Sequence, residues 1–249
     1  MIISFVNQKG GVGKTTSTQA VATALAEKGE KVLVIDLDPQ GNLGVLEGIP
    51  LHKLENTLSD LILGDCDFAD VVIETNGFHL IPSMIYLAGT SQTMEKRFSR
   101  EFIIRDIIKP YFDDYDHILL DCPPNLAILT INALAMSDYI CLVSESEFLS
   151  KIALENLEQT IQQIQQQVNS SLEIFGVIIT KINPITNHLK EIVEDIEEMY
   201  KDTRTFKVAH SVKVKDSPKE HMASIVKVFP KHKASKAYVE VAEAIINDK

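Results

Sequence analysis

Short apolar stretches alternate along the chain with segments in which apolar residues recur every three or four positions. Short, uninterrupted apolar stretches are typical of strands that are buried on both faces, and the longer period is typical of amphipathic helices. The predicted strands are Ile2–Val6, Lys31–Ile35, Phe78–Ile81, His117–Leu120, Tyr139–Val143 and Ile174–Thr180. The alternation of strand and helix predicts an α/β fold, in which helices flank a mostly parallel, twisted β-sheet on both faces.

Helix-period segments fill the gaps between these strands. The first segment ends before Gly29, a residue suited to the left-handed position that closes a helix, and the second follows Asn56, a favourable N-cap. The predicted helices are Thr15–Lys28, Thr57–Leu63, Met94–Lys109, Leu126–Met136, Phe148–Val168, Ile185–Tyr200 and Ser235–Ile246. Because we find no internal repeat and no linker rich in Gly, Pro or Ser, we expect residues 1–249 to form a single domain without a separate N-terminal DNA-binding domain.

The composition is that of a globular protein, with 45% hydrophobic and 24% charged residues. The first residues carry no basic leader, and no apolar run reaches the roughly 18 residues of a membrane span, so we expect a cytoplasmic protein. Three cysteines, Cys66, Cys122 and Cys141, lack the paired spacing of a zinc site or a disulfide framework. We interpret them as small buried residues.

The charge is distributed unevenly. The chain as a whole carries −11, but residues 201–236 contain ten Lys or Arg against three Asp or Glu, a local balance of +7 that leaves −18 elsewhere. Such asymmetry is expected when one face meets an anion and the remainder keeps the protein in solution. A solvated basic face without a ligand is the alternative interpretation.

Positions 9–16 read Lys-Gly-Gly-Val-Gly-Lys-Thr-Thr, between the first predicted strand and the first predicted helix. Gly10, Gly11 and Gly13 allow backbone N–H groups to turn inward around phosphate oxygens, and the helix adds the positive end of its dipole. In this context we expect Lys14 to reach the β- and γ-phosphates and the Thr15 hydroxyl to ligate Mg²⁺. A plain tight turn is the alternative, and the glycine spacing makes it the weaker one.

Two further predicted strands end in carboxylates, at the edge where ligands bind in open α/β sheets. Asp36 and Asp38 follow the second strand, in the stretch Asp-Leu-Asp-Pro-Gln-Gly-Asn. Asp121 ends the strand before Cys-Pro-Pro, which matches a Walker B pattern, and we expect it to hold a magnesium-bound water. The alternatives are a polar turn for the first pair, closed by Pro39 and Gly41, and an ordinary strand-end acid for Asp121.

These motifs, in this order, resemble those of the deviant-Walker P-loop ATPases of the ParA and MinD type, and the resemblance to ParA and Soj proteins covers nearly the whole chain. Gln8 stands where the standard motif begins with glycine, and Lys9 is the additional lysine of the deviant motif. The resemblance implies a homodimer with ATP sandwiched at the interface, in which Lys9 contacts the partner's nucleotide. It also implies that Asp38 orients or activates the attacking water and that Asp36 supports the magnesium and lysine shell.

The resemblance assigns ATP and Mg²⁺ as cofactors and gives three groups of residues. The predicted catalytic residues are Lys9, Lys14 and Asp38. The predicted magnesium-shell residues are Thr15, Asp36 and Asp121. The predicted nucleotide contacts are Lys9, Gly10, Gly11, Val12, Gly13, Lys14, Thr15 and Thr16 around the phosphates, with Asn183, Ser217 and Pro218 around the adenine.

The basic segment is a candidate for sequence-independent DNA binding, because scattered lysines neutralise phosphates without reading base edges. Only Phe206 and Phe229 interrupt it as aromatic residues, which favours duplex DNA over stacking on single strands. The candidate DNA contacts are Arg204, Lys207, Lys213, Lys215, Lys227, Lys231 and Lys233. The resemblance implies a partition ATPase that is nucleoid-associated when ATP-bound, hydrolyses ATP slowly alone, and is stimulated by a centromere-binding ParB-type protein.

Two other classes share the same phosphate motif. A MinD-like membrane-positioning ATPase needs a basic amphipathic helix at the C-terminus, but Glu240, Glu243 and Asp248 there oppose anionic lipid, so we predict no membrane partner. An iron–sulfur ATPase needs cluster-ligating cysteines, and Cys122 lies inside the predicted magnesium loop. A metabolic synthetase needs a substrate pocket that the sequence does not identify.

Overall fold

The computed structural model describes residues 1–147, 150–183 and 187–248. Eight strands in these ranges form one sheet: β1 Ile2–Val6, β2 Val32–Asp36, β3 Ile73–Glu74, β4 His79–Ile81, β5 His117–Asp121, β6 Tyr139–Glu145, β7 Glu173–Ile182 and β8 Arg204–Ala209. Their order across the sheet is β3-β4-β2-β5-β1-β6-β7-β8, and every neighbouring pair is parallel except β3 with β4. The predicted mostly parallel α/β sheet is therefore confirmed.

Helices connect the strands and cover both faces of the sheet. They are α1 Lys14–Glu27, α2 Asn42–Leu46, α3 Leu58–Leu63, α4 Phe68–Val71, α5 Leu87–Met94, α6 Ile103–Ile108, α7 Ile128–Met136, α8 Ser150–Gln167, α9 Asn187–Met199, α10 Val212–His221, α11 Ile225–Val228 and α12 Lys233–Asn247. Short 3₁₀ turns occupy Leu51–Lys53, Arg100–Phe102 and Lys109–Asp114.

Two apolar cores lie on opposite faces of the sheet. Helices α1 and α12 cover one face, where Leu25 and Val241 are fully buried. The other face is covered by α3 and α6 to α9, with Ile108, Ile161 and Ile196 in its core. Each fully buried Leu, Ile or Val contributes about 1.5–3 kcal/mol relative to an exposed one. This double layer fixes the sheet, and all its parallel strands present their carboxyl ends at one edge.

The predicted helix Met94–Lys109 is wrong, because the chain breaks inside it. Helix α5 ends at Met94, and Ser99 adopts a left-handed conformation with φ of 51° before a 3₁₀ turn leads into α6. Apolar residues spaced three or four apart imitate one continuous helix across this break. Phe98, which occupies such a position, is fully exposed and so does not belong to the core.

The sequence prediction also missed β3, β8, α2, α4, α5, α10 and α11. Strand β8 lies at the sheet edge, where Phe206 and Val208 are buried and Arg204 and Lys207 are exposed, so its alternating pattern was hidden within the basic segment. The predicted starts of two helices, at Phe148 and Ile185, lie outside the described residues.

The three cysteines are free thiols, and the predicted burial holds for two of them. Cys122 and Cys141 are buried, and burial raises the pKa of the Cys141 thiol to about 12. Cys66 is only half-buried, which departs from the expectation for all three.

Candidate nucleotide site

The glycine-rich loop joins β1 to α1 at the carboxyl edge of the sheet. Gly11 and Gly13 have φ of 76° and 100°, a region that side chains rarely adopt, and Gly13 is the N-cap of α1. A side chain at Gly13 would not clash, since an added Cβ would lie 3.6 Å from the Thr180 side chain, an ordinary van der Waals distance. The backbone conformation therefore requires glycine here, and it aims the N–H groups at the start of α1 into one concave surface.

Strand β7 holds this loop from outside. The Thr180 hydroxyl donates to the Val12 carbonyl at 2.7 Å, and the Lys181 ammonium donates to the Gly11 carbonyl at 2.7 Å. On the other side, the Asn7 amide donates to the Val143 carbonyl at 2.6 Å and accepts from the Lys9 N–H at 2.8 Å. The carbonyls of Gly11 and Val12 are thus engaged by β7 on the outer side of the loop.

Lys14 places a cation at the floor of the loop. Its side chain is buried, and its ammonium donates to the Lys9 carbonyl at 3.3 Å. Burial lowers the pKa of Lys14, and the negative charges of Asp121 and Asp38 partly offset that effect. An anionic oxygen in the cradle can therefore accept further hydrogen bonds from an ammonium that is already positioned.

Asp36 and Asp121 are paired in register on the adjacent strands β2 and β5, and both are fully buried. Asp36 accepts from the Asp38 N–H at 3.0 Å and from the Leu43 N–H at 3.3 Å, so it organises the loop after β2. Within the described ranges, neither carboxylate oxygen of Asp121 makes a hydrogen bond of standard geometry, but the Thr15 and Thr18 hydroxyls lie close enough to lower its pKa. Burial raises the pKa of Asp121 to about 7.

The different hydrogen bonding of Asp36 and Asp121 distinguishes these two predicted magnesium-shell carboxylates. A buried carboxylate near the phosphate cradle whose oxygens are not taken up by hydrogen bonds of standard geometry fits the water shell of Mg²⁺, since hard cations prefer oxygen donors. Asp121 meets that description, and the Thr15 hydroxyl lies half-buried at the start of α1. Both oxygens of Asp36 already accept backbone bonds, so its contribution is to shape the loop beside the cation.

Asp38 lies on the tight loop that follows β2. One carboxylate oxygen accepts from the Gln40 N–H at 3.0 Å, and the backbone carbonyl accepts from the Ser83 hydroxyl. Gly41 has φ of 62°, and a Cβ at this position would lie 2.5 Å from the Ser83 carbonyl oxygen. The loop is therefore held closely against the end of β4, with Asp38 facing the phosphate side.

A cavity of 310 Å³ contains the phosphate side of the site. Its lining residues are Gly10, Gly11, Gly13, Lys14, Thr15, Thr16, Asp38, Asn42, Val45, Leu46 and Pro124. Most of the predicted phosphate contacts and the predicted water-orienting carboxylate line this one space. The structure thus brings these predicted site residues together; two predicted contacts, Lys9 and Val12, do not line it.

A second cavity of 290 Å³ adjoins the loop on the side of β7 and β8. Its lining residues are Gly11, Val12, Gly13, Thr16, Thr180, Lys181, Val208, Ala209, His210, Ser211, Val214, Lys215 and Tyr238. An apolar wall next to the phosphate cradle suits a nucleotide base. The chain from the end of β8 into α10 supplies most of that wall.

The predicted adenine contacts are placed differently from this cavity. Ser217 is fully buried, and its hydroxyl donates to the Lys213 carbonyl at 2.7 Å. Asn183 lines a neighbouring polar cavity with Glu145 and Glu147, and the side chain of Pro218 lies outside the described residues. The sequence prediction missed Val208 and Ala209 because it did not recognise β8, and it missed Val214 because it did not recognise α10. The alternation of Phe206 and Val208 was the signal that could have shown the strand.

Lys9 extends from the loop toward its own protomer. Its ammonium forms ion pairs with Glu145 and Glu147, and its side chain is 36% exposed. The hydrogen bonds that the Lys9 ammonium donates to Glu145 and, to a smaller extent, to Glu147 raise the pKa of Lys9. Glu145 is itself nearly buried and also pairs with Lys181 at 2.7 Å.

The seven candidate DNA contacts are all exposed, but they do not lie on one face. Arg204 and Lys207 lie three positions apart on β8, and so project from opposite faces of the sheet. Arg204 pairs with Asp248, and Lys207 pairs with Glu197 at 2.8 Å. Acidic side chains therefore already neutralise both of them.

The other five candidates follow β8: Lys213 and Lys215 lie on α10, Lys227 lies on α11, Lys231 lies in the turn between α11 and α12, and Lys233 begins α12. The Lys213 ammonium lies 4.5 Å from the centre of the Phe229 ring, and the Lys227 ammonium donates to the Asn76 side chain at 3.2 Å. Lys231 and Lys233 are exposed and form no ion pair with any described residue. Lys215 lines the base-side cavity, so it faces the nucleotide side of α10.

Helix α12 near the C-terminus packs its apolar side against α1. Tyr238, Val241 and Ile245 are buried in the core on that face, and the Tyr238 hydroxyl lies 3.3 Å from the Ser17 hydroxyl. The apolar stripe that a membrane-binding helix would present is therefore used inside the protein. Across the described ranges, we find no helix with the length and hydropathy that a membrane crossing needs.

A left-handed glycine cap, a buried lysine in the loop and a buried carboxylate at the end of the neighbouring strand together define a P-loop nucleoside triphosphatase. Comparison with known proteins agrees. Residues 1–174 match the protein family described as an AAA domain. The sporulation initiation inhibitor protein Soj of Bacillus subtilis is 32% identical over 248 residues, covering 98% of this chain and 97% of Soj.

The chromosome partitioning protein ParA of Caulobacter vibrioides is 31% identical and covers 99% of this chain and 94% of its own length. The chain therefore belongs to the ParA/Soj family of P-loop ATPases.

Solved structures show the same fold. Cobyrinic acid a,c-diamide synthase from Mycobacterium smegmatis, with bound ADP and magnesium, has a TM-score of 0.86 at 29% identity, covering 98% of this chain and 93% of the synthase. A plasmid partition protein from Borrelia burgdorferi, bound to AMPPNP, has a TM-score of 0.83 at 24% identity, covering 100% and 99% of the two chains.

Proposed function

We propose that this protein is a ParA-type DNA partition ATPase. It binds ATP with Mg²⁺, closes into a homodimer, binds DNA without sequence preference, and releases DNA when a ParB-type partner stimulates hydrolysis. The observation that carries the proposal is the phosphate cradle, with Lys14 on its floor and Lys9 on its outer side. End-to-end similarity to Soj and to chromosome partitioning proteins supports the biological role.

Each side chain of the phosphate side has a defined task in hydrolysis. Lys14 binds the β- and γ-phosphate oxygens, and Thr15 and Asp121 hold the cation and its water shell. Mg²⁺, when bound, neutralises charge that develops on the transferring phosphate. Asp38 orients the attacking water, and Asp36 keeps the loop that carries it in place through the two backbone bonds described above.

ATP and Mg²⁺ as cofactors are supported by the relative solved with ADP and magnesium. We assign the base to the cavity between the loop and β8, where Val208, Ala209 and Val214 supply an apolar wall. Turnover without the partner is slow in this proposal, because the partner supplies part of the catalytic arrangement.

Duplex DNA is the ligand we assign to the basic surface formed by Lys213, Lys227, Lys231 and Lys233. Lysines that lack acidic neighbours can release counterions from phosphates without reading bases. Arg204 and Lys207 contribute less, because Asp248 and Glu197 already neutralise them. Dimerisation places two such surfaces in one particle, which raises DNA affinity through bivalency and places the ATP-bound form on the nucleoid.

Two competing functions share the phosphate site. A MinD-like role is disfavoured because α12 buries its apolar side against α1. A metabolic synthetase has one specific observation in its favour, the fold match to cobyrinic acid a,c-diamide synthase at 29% identity. The partition relatives match at higher identity over nearly the whole chain, so we give the partition role precedence.

The deciding experiment measures DNA affinity with ADP and with ATP over a series of salt concentrations. We expect tight binding with ATP only, with log affinity falling linearly against log salt. ATP hydrolysis is measured in parallel for the protein alone, with DNA, and with DNA plus the ParB-type protein of the same genome. Binding that ignores nucleotide or salt, or full hydrolysis by the protein alone, would contradict the proposal.

A further inference from the structure

Lys9 is held by a pair of carboxylates of its own chain. Glu145 ends β6, which lies between β1 and β7 in the sheet, so its carboxylate stands between the loop after β1 and the end of β7. One carboxylate oxygen faces Lys9 and the other accepts from Lys181 at 2.7 Å. The exposed Glu147 adds a second carboxylate on Lys9. The ammonium of Lys9 is therefore engaged within one protomer.

A lysine that contacts a partner's nucleotide cannot keep these bonds. We propose that Glu145 is a positioning residue that retains Lys9 on its own protomer and thereby sets how tightly ATP-bound protomers associate. The inference rests on the proposed function, because the ATP dimer is its readout. Lys181 makes the exchange possible: when Lys9 leaves, the nearly buried Glu145 carboxylate keeps a cation at 2.7 Å and is not left as an isolated buried charge.

Lys181 also connects the retention of Lys9 by Glu145 to the geometry of the phosphate cradle. Its ammonium bridges the Glu145 carboxylate and the Gly11 carbonyl, and its backbone is left-handed with φ of 56°. The Lys14 ammonium in turn donates to the Lys9 carbonyl at 3.3 Å. A nucleotide that engages Lys14 therefore acts on the same short stretch of backbone that carries Lys9.

The test is Glu145→Gln, which removes the charge but keeps an amide oxygen for Lys181. Dimer dissociation constants are measured by analytical ultracentrifugation at saturating ATP, so that differences in ATP affinity between variants do not affect them. Formation of each dimer releases two Lys9 side chains from Glu145, and a partly exposed ion pair contributes only modestly to retaining each of them. Because the variant lacks both of these pairs, we expect its protomers to associate roughly tenfold more tightly. A residue with only a structural role would weaken the dimer when replaced. Glu145→Asp, which keeps the charge, should return the constant toward the wild-type value.

Glu74→Gln is the matched control, because it removes one charge from β3 at the far edge of the sheet. It should leave the dimer constant unchanged. If thermal unfolding shows that Glu145→Gln does not fold, the test uses Glu147→Gln, which removes the exposed carboxylate. We expect the protomers of this variant to associate about twofold more tightly. Unchanged or weaker association of the folded variant overturns the inference. A wild-type protein that forms no dimer with ATP instead overturns the proposed function.

Discussion

The two sides of the nucleotide site are built in different ways. The phosphate side comes from three short stretches, each at the end of a central strand, and its key groups are buried: Lys14, Asp36 and Asp121. The base side comes from the end of β8 and from α10, at the edge of the sheet, and carries exposed charges beside an apolar cavity. Burial makes the first side intolerant of change, whereas exposure makes the second side adjustable.

The most severe test of the phosphate side is Lys14→Ala. This change removes the buried cation that we assign to the β- and γ-phosphates. Bonds to charged groups are worth about 1.5–3 kcal/mol each, so ATP affinity should fall by roughly 100-fold or more. Titration with a fluorescent ATP analogue measures it. Lys28→Ala, at the exposed C-terminal end of α1, is the control, and this variant should bind ATP with wild-type affinity. Equal affinity in both variants would remove the assigned role of Lys14.

Asp38→Ala should separate binding from turnover. Because Asp38 lines the phosphate-side cavity, where we propose that it orients the attacking water, and does not line the base-side cavity, we expect kcat in the presence of partner and DNA to fall about 100-fold, with ATP affinity changed less than about threefold. Steady-state hydrolysis and equilibrium titration give the two quantities. The exposed neighbour Gln40→Ala serves as control. If Asp38→Ala loses ATP binding but keeps its turnover rate per bound ATP, this assignment is contradicted.

Gly41→Ala tests whether the loop that carries Asp38 is as constrained as its geometry indicates. The left-handed backbone and the 2.5 Å approach of an added Cβ to the Ser83 carbonyl predict a loss of about 2 kcal/mol in the free energy of unfolding. Denaturant titration measures it. Gly89→Ala, within α5 and with open space around it, should instead be neutral or slightly stabilising. Similar values for the two variants would argue against strain at Gly41.

The smallest expected effect concerns the basic surface. Replacing Lys231 and Lys233 together by Ala should lower DNA affinity about tenfold near physiological salt and reduce the salt slope by about 2. The matched pair is Arg204 and Lys207, which are neutralised by acidic residues and should change the slope little when replaced by Ala. Equal losses for both pairs would show that the whole segment, and not one surface, contacts DNA.

The central part of the fold was predictable because its signals are local. Strands β1, β2, β5 and β6 are buried on both faces and appear as uninterrupted apolar stretches, and α1 follows directly from the glycine loop. The same locality made Lys14, Asp38 and Asp121 identifiable. For Lys14 and Asp121 the residue type and its neighbours in the chain suggested the chemistry, whereas the role predicted for Asp38 came from the family resemblance.

The edges were not predictable from the same signals. Strand β8 carries only Phe206 and Val208 as buried residues, and charged neighbours concealed the alternation. The break at Ser99 depends on a left-handed residue that no glycine or proline marks. The pairing of Lys9 with Glu145 joins positions 136 apart through the order of strands, which the sequence alone does not give.

Helix α10 has a consequence for how this family member can vary. Val214 and Lys215 wall the base cavity, while Lys213 on the same helix carries an exposed charge beside Phe229. A substitution that shifts this helix therefore alters the shape of the cavity that we assign to the base and the position of the Lys213 ammonium together. We expect pairwise epistasis here: homologous sequences that retune one property should carry a second change within the same ten residues.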